Sequence, residues 1–563
     1  MSRTVAVLGG GVAGLTAAQE LAERGYAVTV YERRPLFGGK ARSLLKLKTG
    51  IAPRTDLPGE HGFRFFPGFY KHVIDTMRRI PFGTGSSVYD NLAVATRILL
   101  ARAGSPQILW TARVPRTIAD FRVFLGELFT NLDIPEEEVL YFIDRLVVIA
   151  TSCPARRLEE YEQIAYWDFI GAAQRSAAYG KYLGEGLTRS LVAMRAQKSS
   201  TRTVGPILLQ LLYGLTDPDR VFDRLLTGPT NDVWILPWVS HLMRLGVQFR
   251  SETRVERFRV ENGKIAGVEI SAPAGPDCIL ADHYVAAMPV EVMANLVTPE
   301  MQAAAPSIAN LGRLEVEWMN GIQFYLDHDV PLARGHVLYL DSPWALTSIS
   351  QQQFWRYDLA SCGDGRCRGL LSVDISDWES PGVLYNKPAR ECTSEEVRRE
   401  VWEQLRRHID VAGIHTLDDT QVIDWFLDPD IEYPNPSQAT NLEPLLINTV
   451  GSYQYRPQAY TELPNLFLAS DYVRTYTDLA TMEAANEAAR RATNAILAAD
   501  GVSHDRAALW PLEDPLFVRP LQELDSLRFA GQRPHLWFDG HHIASEWARL
   551  TGKQPSAEAT AGS

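Results

Sequence analysis

Residues 4–34, TVAVLGGGVAGLTAAQELAERGYAVTVYERR, restrict the fold of this chain more than any other stretch. Residues 4–8 are β-branched and apolar, which predicts a buried parallel strand. Gly9, Gly11 and Gly14 follow at once with Gly-x-Gly-x-x-Gly spacing. From Ala13 to Arg24 the composition is helix-forming, with Leu15, Ala18, Leu21 and Ala22 at helical spacing and Gly25 as the stop. Residues 27–31 predict a second strand, and Glu32 stands at its end. Strand, glycine turn, helix, strand and acid in this order describe a dinucleotide site. Gly9 permits the tight turn, Gly11 lets the backbone approach a pyrophosphate, and Gly14 lets helix and strand close up. The helix start, at Ala13, offers free N–H groups to the phosphates, and Glu32 can accept from ribose hydroxyls. The pattern does not separate NAD from FAD.

Composition narrows the partners. A chain of 563 residues with 46% hydrophobic and 22% charged residues is globular, and its length suggests two or more domains. A net charge of −12 argues against nucleic acid. Arg33, Arg34, Lys40, Arg42, Lys46 and Lys48 form a local basic run just after the glycines. It reads either as a solvated face or as charge balance for cofactor phosphates. Five cysteines do not make a disulfide framework; Cys362 and Cys367 bracket a glycine-rich segment expected to be a surface loop rather than a metal or redox pair. No metal site is expected, and HLWFDGHH, with His535, Asp539, His541 and His542, reads as an exposed turn. No apolar run reaches the ~18 residues of a membrane span. No signal peptide is expected, so a cytoplasmic location is, with residues 90–104 as a candidate membrane-surface contact. The last residues, KQPSAEATAGS, read as disordered.

A second signal lies far downstream. Residues 466–469 predict a short strand, Asp471 follows, and residues 482–497 predict a helix with Ala484, Ala485, Ala488, Ala489 and Ala492 on a small-residue face. Asp478 or Thr481 can cap it. Such a helix start favours the negative charge that a reduced flavin carries at its N1/C2-carbonyl edge.

With both signals in place, the chain resembles the FAD-dependent amine oxidase/phytoene desaturase superfamily. Four blocks carry the resemblance: the fingerprint ending in Glu32; RRPLFGGKARS, with Gly38, Gly39, Lys40 and Arg42; residues 247–270 with ADHYVAAMP; and the block around Asp471. The resemblance implies an α/β fold, a Rossmann-like FAD-binding domain (GR2 type) with an inserted mixed α+β substrate domain. The FAD domain is expected from residues 1–110, 225–300 and 440–500, the substrate domain from 111–224 and 301–439, and a C-terminal extension from 501–563. It implies Gly9, Gly11, Ala13, Gly14, Glu32, Arg33, Gly39, Lys40, Arg42, Phe63, Arg64, Val255, Asp471, Thr481 and Met482 as cofactor-binding residues, with Glu483 beside them at the helix start.

GEHGFRFFPGFY resembles the carotenoid desaturase stretch, with Glu60, Gly62, Phe66, Gly68 and Tyr70 in register and Arg64 where that branch has His. The Lys that amine oxidases keep beside flavin N5 has no evident match, and no Cys follows Cys392 for covalent attachment. The expectation is therefore noncovalent FAD and an oxidoreductase that desaturates a small apolar, isoprenoid-, polyene- or lipid-like substrate by hydride transfer to flavin N5. Oxygen, a quinone or another carrier would be the electron acceptor. Arg64, Tyr453 and Tyr455 are the catalytic candidates, the tyrosines with Arg456 on a strand-like segment. An FAD amine oxidase, a flavin-using isomerase without net redox and a non-catalytic lipid-binding escort are the alternative readings. Residues 118–132 and 136–150 predict helices, and VGPILLQLLYGL reads as core or tunnel lining.

Overall fold

The computed structural model describes residues 3–111, 132–192, 194–216, 221, 223–411, 413, 415–435 and 438–537. The expected helix at 118–132, all but its last residue, the 553–563 end and Asp539, His541 and His542 lie outside them.

The fingerprint strands enter a five-stranded parallel sheet, ordered Gln248–Arg250, Ala27–Tyr31, Thr4–Leu8, His283–Ala286, Leu466–Leu468. Three distant stretches of chain thus share one sheet. Val7, Val30 and Val285 are fully buried and adjacent in register, as strands covered on both faces require. Helices Val12–Ala22 and Met482–Ala499 pack together beside it. Ala17, Ala18, Ala488 and Ala489 are fully buried, and their small side chains permit the close approach. Asn486 Nδ2 donates to Thr16 Oγ1 at 2.8 Å across that seam.

A second, seven-stranded sheet runs Val422–Leu427, Asn320–Leu326, Gly369–Ile375, Leu346–Ser350, Val337–Tyr339, Arg97–Ala101, Ile108–Thr111. Its strands alternate. Ile322, Phe324, Leu371 and Val373 share a core with Val397, Val401, Trp402 and Leu405 of helix Ser394–Ile409. The opposite face carries Gln323, Ser372 and Asp374 and is met by residues 57–66. There Tyr325 hydroxyl donates to Pro58 O at 2.8 Å, Glu60 N–H to Gln323 Oε1 at 2.9 Å, and Gly321 N–H to His61 O at 2.8 Å.

The chain divides into two compact units: the described residues of 1–113, 219–448 and 452–512, and those of 114–218, 449–451 and 513–563. The first holds both sheets. The second is helical, with Glu136–Thr151 as expected from its periodicity, Thr201–Thr216 and Arg519–Ala530. Val204, Ile207 and Leu208 of VGPILLQLLYGL are buried in its core. Arg156 binds Asp525 through Nε at 3.0 Å, both fully enclosed.

Several local expectations are corrected. Residues 90–104 are not a free amphipathic face: they form strands Leu92–Ala95 and Arg97–Ala101, which bury Ile98, Leu99 and Leu100. Cys362 and Cys367 are buried rather than on a surface loop, because Gly363 and Gly365 take positive φ and fold the segment back on itself. Burial pushes the Cys367 thiol up to about 12. His535 is buried, not in an exposed turn, with Nε2 at 3.2 Å from Thr151 Oγ1. Residues 452–455 form a single 3-10 turn instead of a strand. Among the described residues no helix is long and apolar enough to cross a membrane.

Candidate functional site

The glycines form a cradle that side chains would fill. Gly9 has φ +118°, and a Cβ there would lie 2.6 Å from Ala287 O. On Gly14 a Cβ would overlap Gly9 O. Gly39, at φ +55°, sits against Gly11, 2.9 Å from where its own Cβ would stand. Helix Val12–Ala22 begins there, with Ala13 in its first turn, no side-chain cap and no acid, so its N–H groups stay available to an anion. Glu32 is buried just after strand Ala27–Tyr31. It accepts from Gly10 N–H at 2.8 Å and Arg34 N–H at 2.9 Å, and burial raises its carboxyl. Thr253 N–H donates to Glu32 O at 2.8 Å, which brings the strand start holding Val255 alongside.

The far chain segment meets this cradle through the shared sheet. Asp471 follows strand Leu466–Leu468 and accepts from Ser470 Oγ at 3.1 Å. Thr481 caps the rear helix by accepting Ala484 N–H at 3.1 Å, which settles the choice between Asp478 and Thr481; Met482 is its first residue. Glu483 turns away from the position expected beside them. Its carboxylate accepts the N–H groups of Lys71, His72 and Val73 at 2.7, 2.8 and 3.0 Å, closing the start of helix His72–Arg79. Arg456, buried, donates to Val473 O at 3.1 Å and Asp478 O at 3.2 Å and pins the loop between strand and helix. A cradle with glycine walls, an uncapped helix start and a buried acid fits a dinucleotide cofactor.

Arg33, Arg34, Lys40 and Arg42 of the basic run are paired with acids or carbonyls, while Lys48 at its end is exposed. Arg42, 1% exposed, pairs with Asp430 at 2.6 Å and donates to Gly39 O at 2.7 Å. Arg34 reaches Asp430 at 2.7 Å and Glu443 at 2.6 Å, and Arg33 reaches Glu443 at 2.8 Å. Lys40 is bonded to Pro444 O and lies 3.7 Å from Glu291. Acids about 400 residues away thus hold the cationic segment against the cradle. His61, Asp428 and Asp430 cluster within 4.8 Å. Asp428 accepts from Asn320, and Asp430 pairs with Arg34 and Arg42.

Arg64 joins the two halves of the site. It donates to Gly62 O at 2.5 Å, Phe63 O at 3.2 Å and Lys40 O, so it clamps its own loop to the Gly-Gly segment. Burial lowers its pKa, opposed by Glu60, Asp374 and Asp428. Burial likewise pushes Glu60 up to about 7 and Asp374 up to about 6, with Arg64 resisting both shifts. Phe63 is buried, and its N–H donates to Asp374 Oδ1 at 3.3 Å. Tyr453 and Tyr455 stand apart from this cluster. Arg474 covers the Tyr453 ring at 4.7 Å; Arg313 covers the Tyr455 ring at 5.2 Å and donates to its hydroxyl at 3.1 Å. Asp374, Asp430 and Glu443 escaped sequence reasoning because no local spacing marks them. Glu60 was visible only as a matched letter.

Family models match two stretches: an NAD(P)-binding Rossmann-like domain over residues 7–80 and a flavin containing amine oxidoreductase over residues 239–497. A probable zeta-carotene desaturase of Synechococcus elongatus is 22% identical over 535 residues, 89% of this chain and 99% of the relative. The zeta-carotene desaturase of Synechocystis is 24% identical over 533 residues, 88% and 97% of the two chains. Putrescine oxidase bound to putrescine superposes with a TM-score of 0.58 at 12% identity, over 88% of this chain and 99% of that one, which speaks to the fold alone. The cradle, the parallel sheet and these matches together fit the amine oxidase/phytoene desaturase superfamily and a flavin-dependent oxidoreductase.

Proposed function

We propose that the chain binds FAD noncovalently and dehydrogenates an apolar, isoprenoid- or polyene-like substrate to an alkene. The carotenoid-desaturase relatives, matched over nearly their whole length, support this substrate class. One observation carries it against amine oxidation. Between residues 265 and 552 the sequence has a single lysine, Lys387. Its side chain is 44% exposed and paired with Glu396 at 2.8 Å, so no lysine from the seven-stranded sheet stands ready to hold a water at a flavin. Noncovalent binding agrees with the cysteines: none follows Cys392, which is itself buried.

Bound flavin would supply the hydride acceptor. This chain's residues then have three tasks. The glycine cradle and Glu32 hold the nucleotide. The rear helix start, capped by Thr481, would offer positive potential to the charge of a reduced ring bound against it. Arg64 keeps the loop over the Gly-Gly segment closed.

Purified protein should release FAD on acid precipitation. The flavin-loaded chain should bleach anaerobically with polyene precursors and not with amines. Bleaching by amines alone would overturn the reading.

A further inference from the structure

On the face of the seven-stranded sheet that meets residues 57–66 lies a buried imidazole–carboxylate pair to which the reading above gives no task. His336, 7% exposed, precedes strand Val337–Tyr339, and Asp223, 1% exposed, opens strand Asp223–Leu226. His336 Nε2 is hydrogen-bonded to Asp223 Oδ2. Asp223 Oδ1 accepts from Phe66 N–H at 3.1 Å and Arg224 N–H at 2.7 Å, so the carboxylate is held in one orientation. Phe63 and Phe65 enclose the imidazole, with ring centroids at 5.5 and 5.0 Å. Among the described residues no group is hydrogen-bonded to Nδ1.

Register places this ring on the working side of the sheet. Leu338 pairs with Thr347, and Thr347 with Asp374, so His336, two residues before Leu338, shares the face of Asp374. Asp223 in turn acts on Tyr70: its charge and that of Glu483 help burial raise the Tyr70 phenol, while Thr481, the rear helix cap, opposes the rise through a hydrogen bond. The charged groups facing the imidazole are Asp223 and Asp374.

A carboxylate on Nε2 keeps the proton there and leaves a lone pair on Nδ1, and it stabilises the imidazolium once that lone pair is used. We propose that His336 Nδ1 is the base that takes the proton from the substrate carbon adjacent to the one giving up hydride, with Asp223 as its positioning residue. The inference rests on the dehydrogenation proposed above. Two C–H bonds break and one C=C bond forms. Hydride leaves the first carbon with its electron pair for the oxidant that the flavin-dependent activity supplies. The electron pair of the second C–H bond becomes the π bond, and its bare proton goes to Nδ1. The two phenylalanine rings keep water from competing for it.

Nitrogen-15 NMR of the flavin-free chain at pH 8, with the His336 signals assigned by their loss in His336→Gln, should find Nε2 protonated and Nδ1 bare. Asp223→Asn should reverse this, since an amide N–H would donate to Nε2. In the flavin-loaded protein, His336→Gln and Asp223→Asn should keep FAD affinity and lower anaerobic bleaching by the apolar substrate ~100-fold. Asp223→Asn should act on kcat more than on KM. Should His336→Gln fail to fold, Asp223→Asn carries the test. A protonated Nδ1 in the wild type, or bleaching of both variants within threefold of wild type, overturns the inference and leaves the dehydrogenase reading standing. Wild-type bleaching by amines alone overturns both.

Discussion

Gly14 has no room for a methyl group, because the carbonyl of Gly9 occupies that space. Gly14→Ala must push the helix off its strand, so stability should fall by about 1–3 kcal/mol in urea denaturation. The yellow colour should go with it, since the same movement closes the pyrophosphate groove. Glu60 makes a prediction of opposite sign. Its folded pKa, about 7, lies above its ordinary 4.5, chiefly through burial. The folded state therefore resists ionising it. That destabilisation is absent below pH 4.5, grows as the pH rises, and is complete above pH 7. Glu60→Gln keeps an acceptor and a donor for the Thr230 N–H and hydroxyl that Glu60 now meets, both at 2.9 Å. It should leave stability unchanged at pH 4.5 and raise it by roughly 3 kcal/mol at pH 8. Equal denaturation midpoints for the two proteins across that range would refute the assignment.

At the scale of elements, the rear helix does two jobs with residues two apart. Thr481 caps it beside the flavin groove, while Glu483 reaches back to close helix His72–Arg79. Thr481→Ala should cost about 1 kcal/mol of stability. It should also weaken flavin binding by loosening the helix start. Glu483→Gln should reduce stability with little effect on flavin affinity, because its carboxylate points away from the groove. Titrating FAD into both variants separates the two roles. Periodicity made the helices at 12–22, 136–151 and 482–499 readable, because each pays a continuous apolar or small-residue stripe into a core. It misread 452–455, where Tyr and Gln alternate like a strand yet close a 3-10 turn above the loop that Arg456 pins.

Across the whole molecule, long-range charge holds the cradle to the segment 428–443. Asp430 serves Arg34 and Arg42 together, and Arg42 has no access to solvent that could replace it. Asp430→Ala should therefore cost about 3–5 kcal/mol, with loss of flavin, whereas truncating the exposed Lys387–Glu396 pair should be nearly silent. The nucleotide half of the site was legible from residues alone. Its chemistry is local: a tight turn, a close approach and a free helix start must lie within some thirty residues. The other half was not. Asp223 and His336, 113 residues apart, or Arg42 and Asp430, 388 apart, carry no spacing that announces a pair. Sequence by itself determined the strand–turn–helix order of the glycine cradle and the position of the rear helix, because backbone geometry leaves few alternatives there. Only the tertiary structure decided which acids neutralise the basic run, that Glu483 caps a neighbouring helix, and that an imidazole stands over the sheet, because burial and charge partnership arise only when distant strands are brought into register.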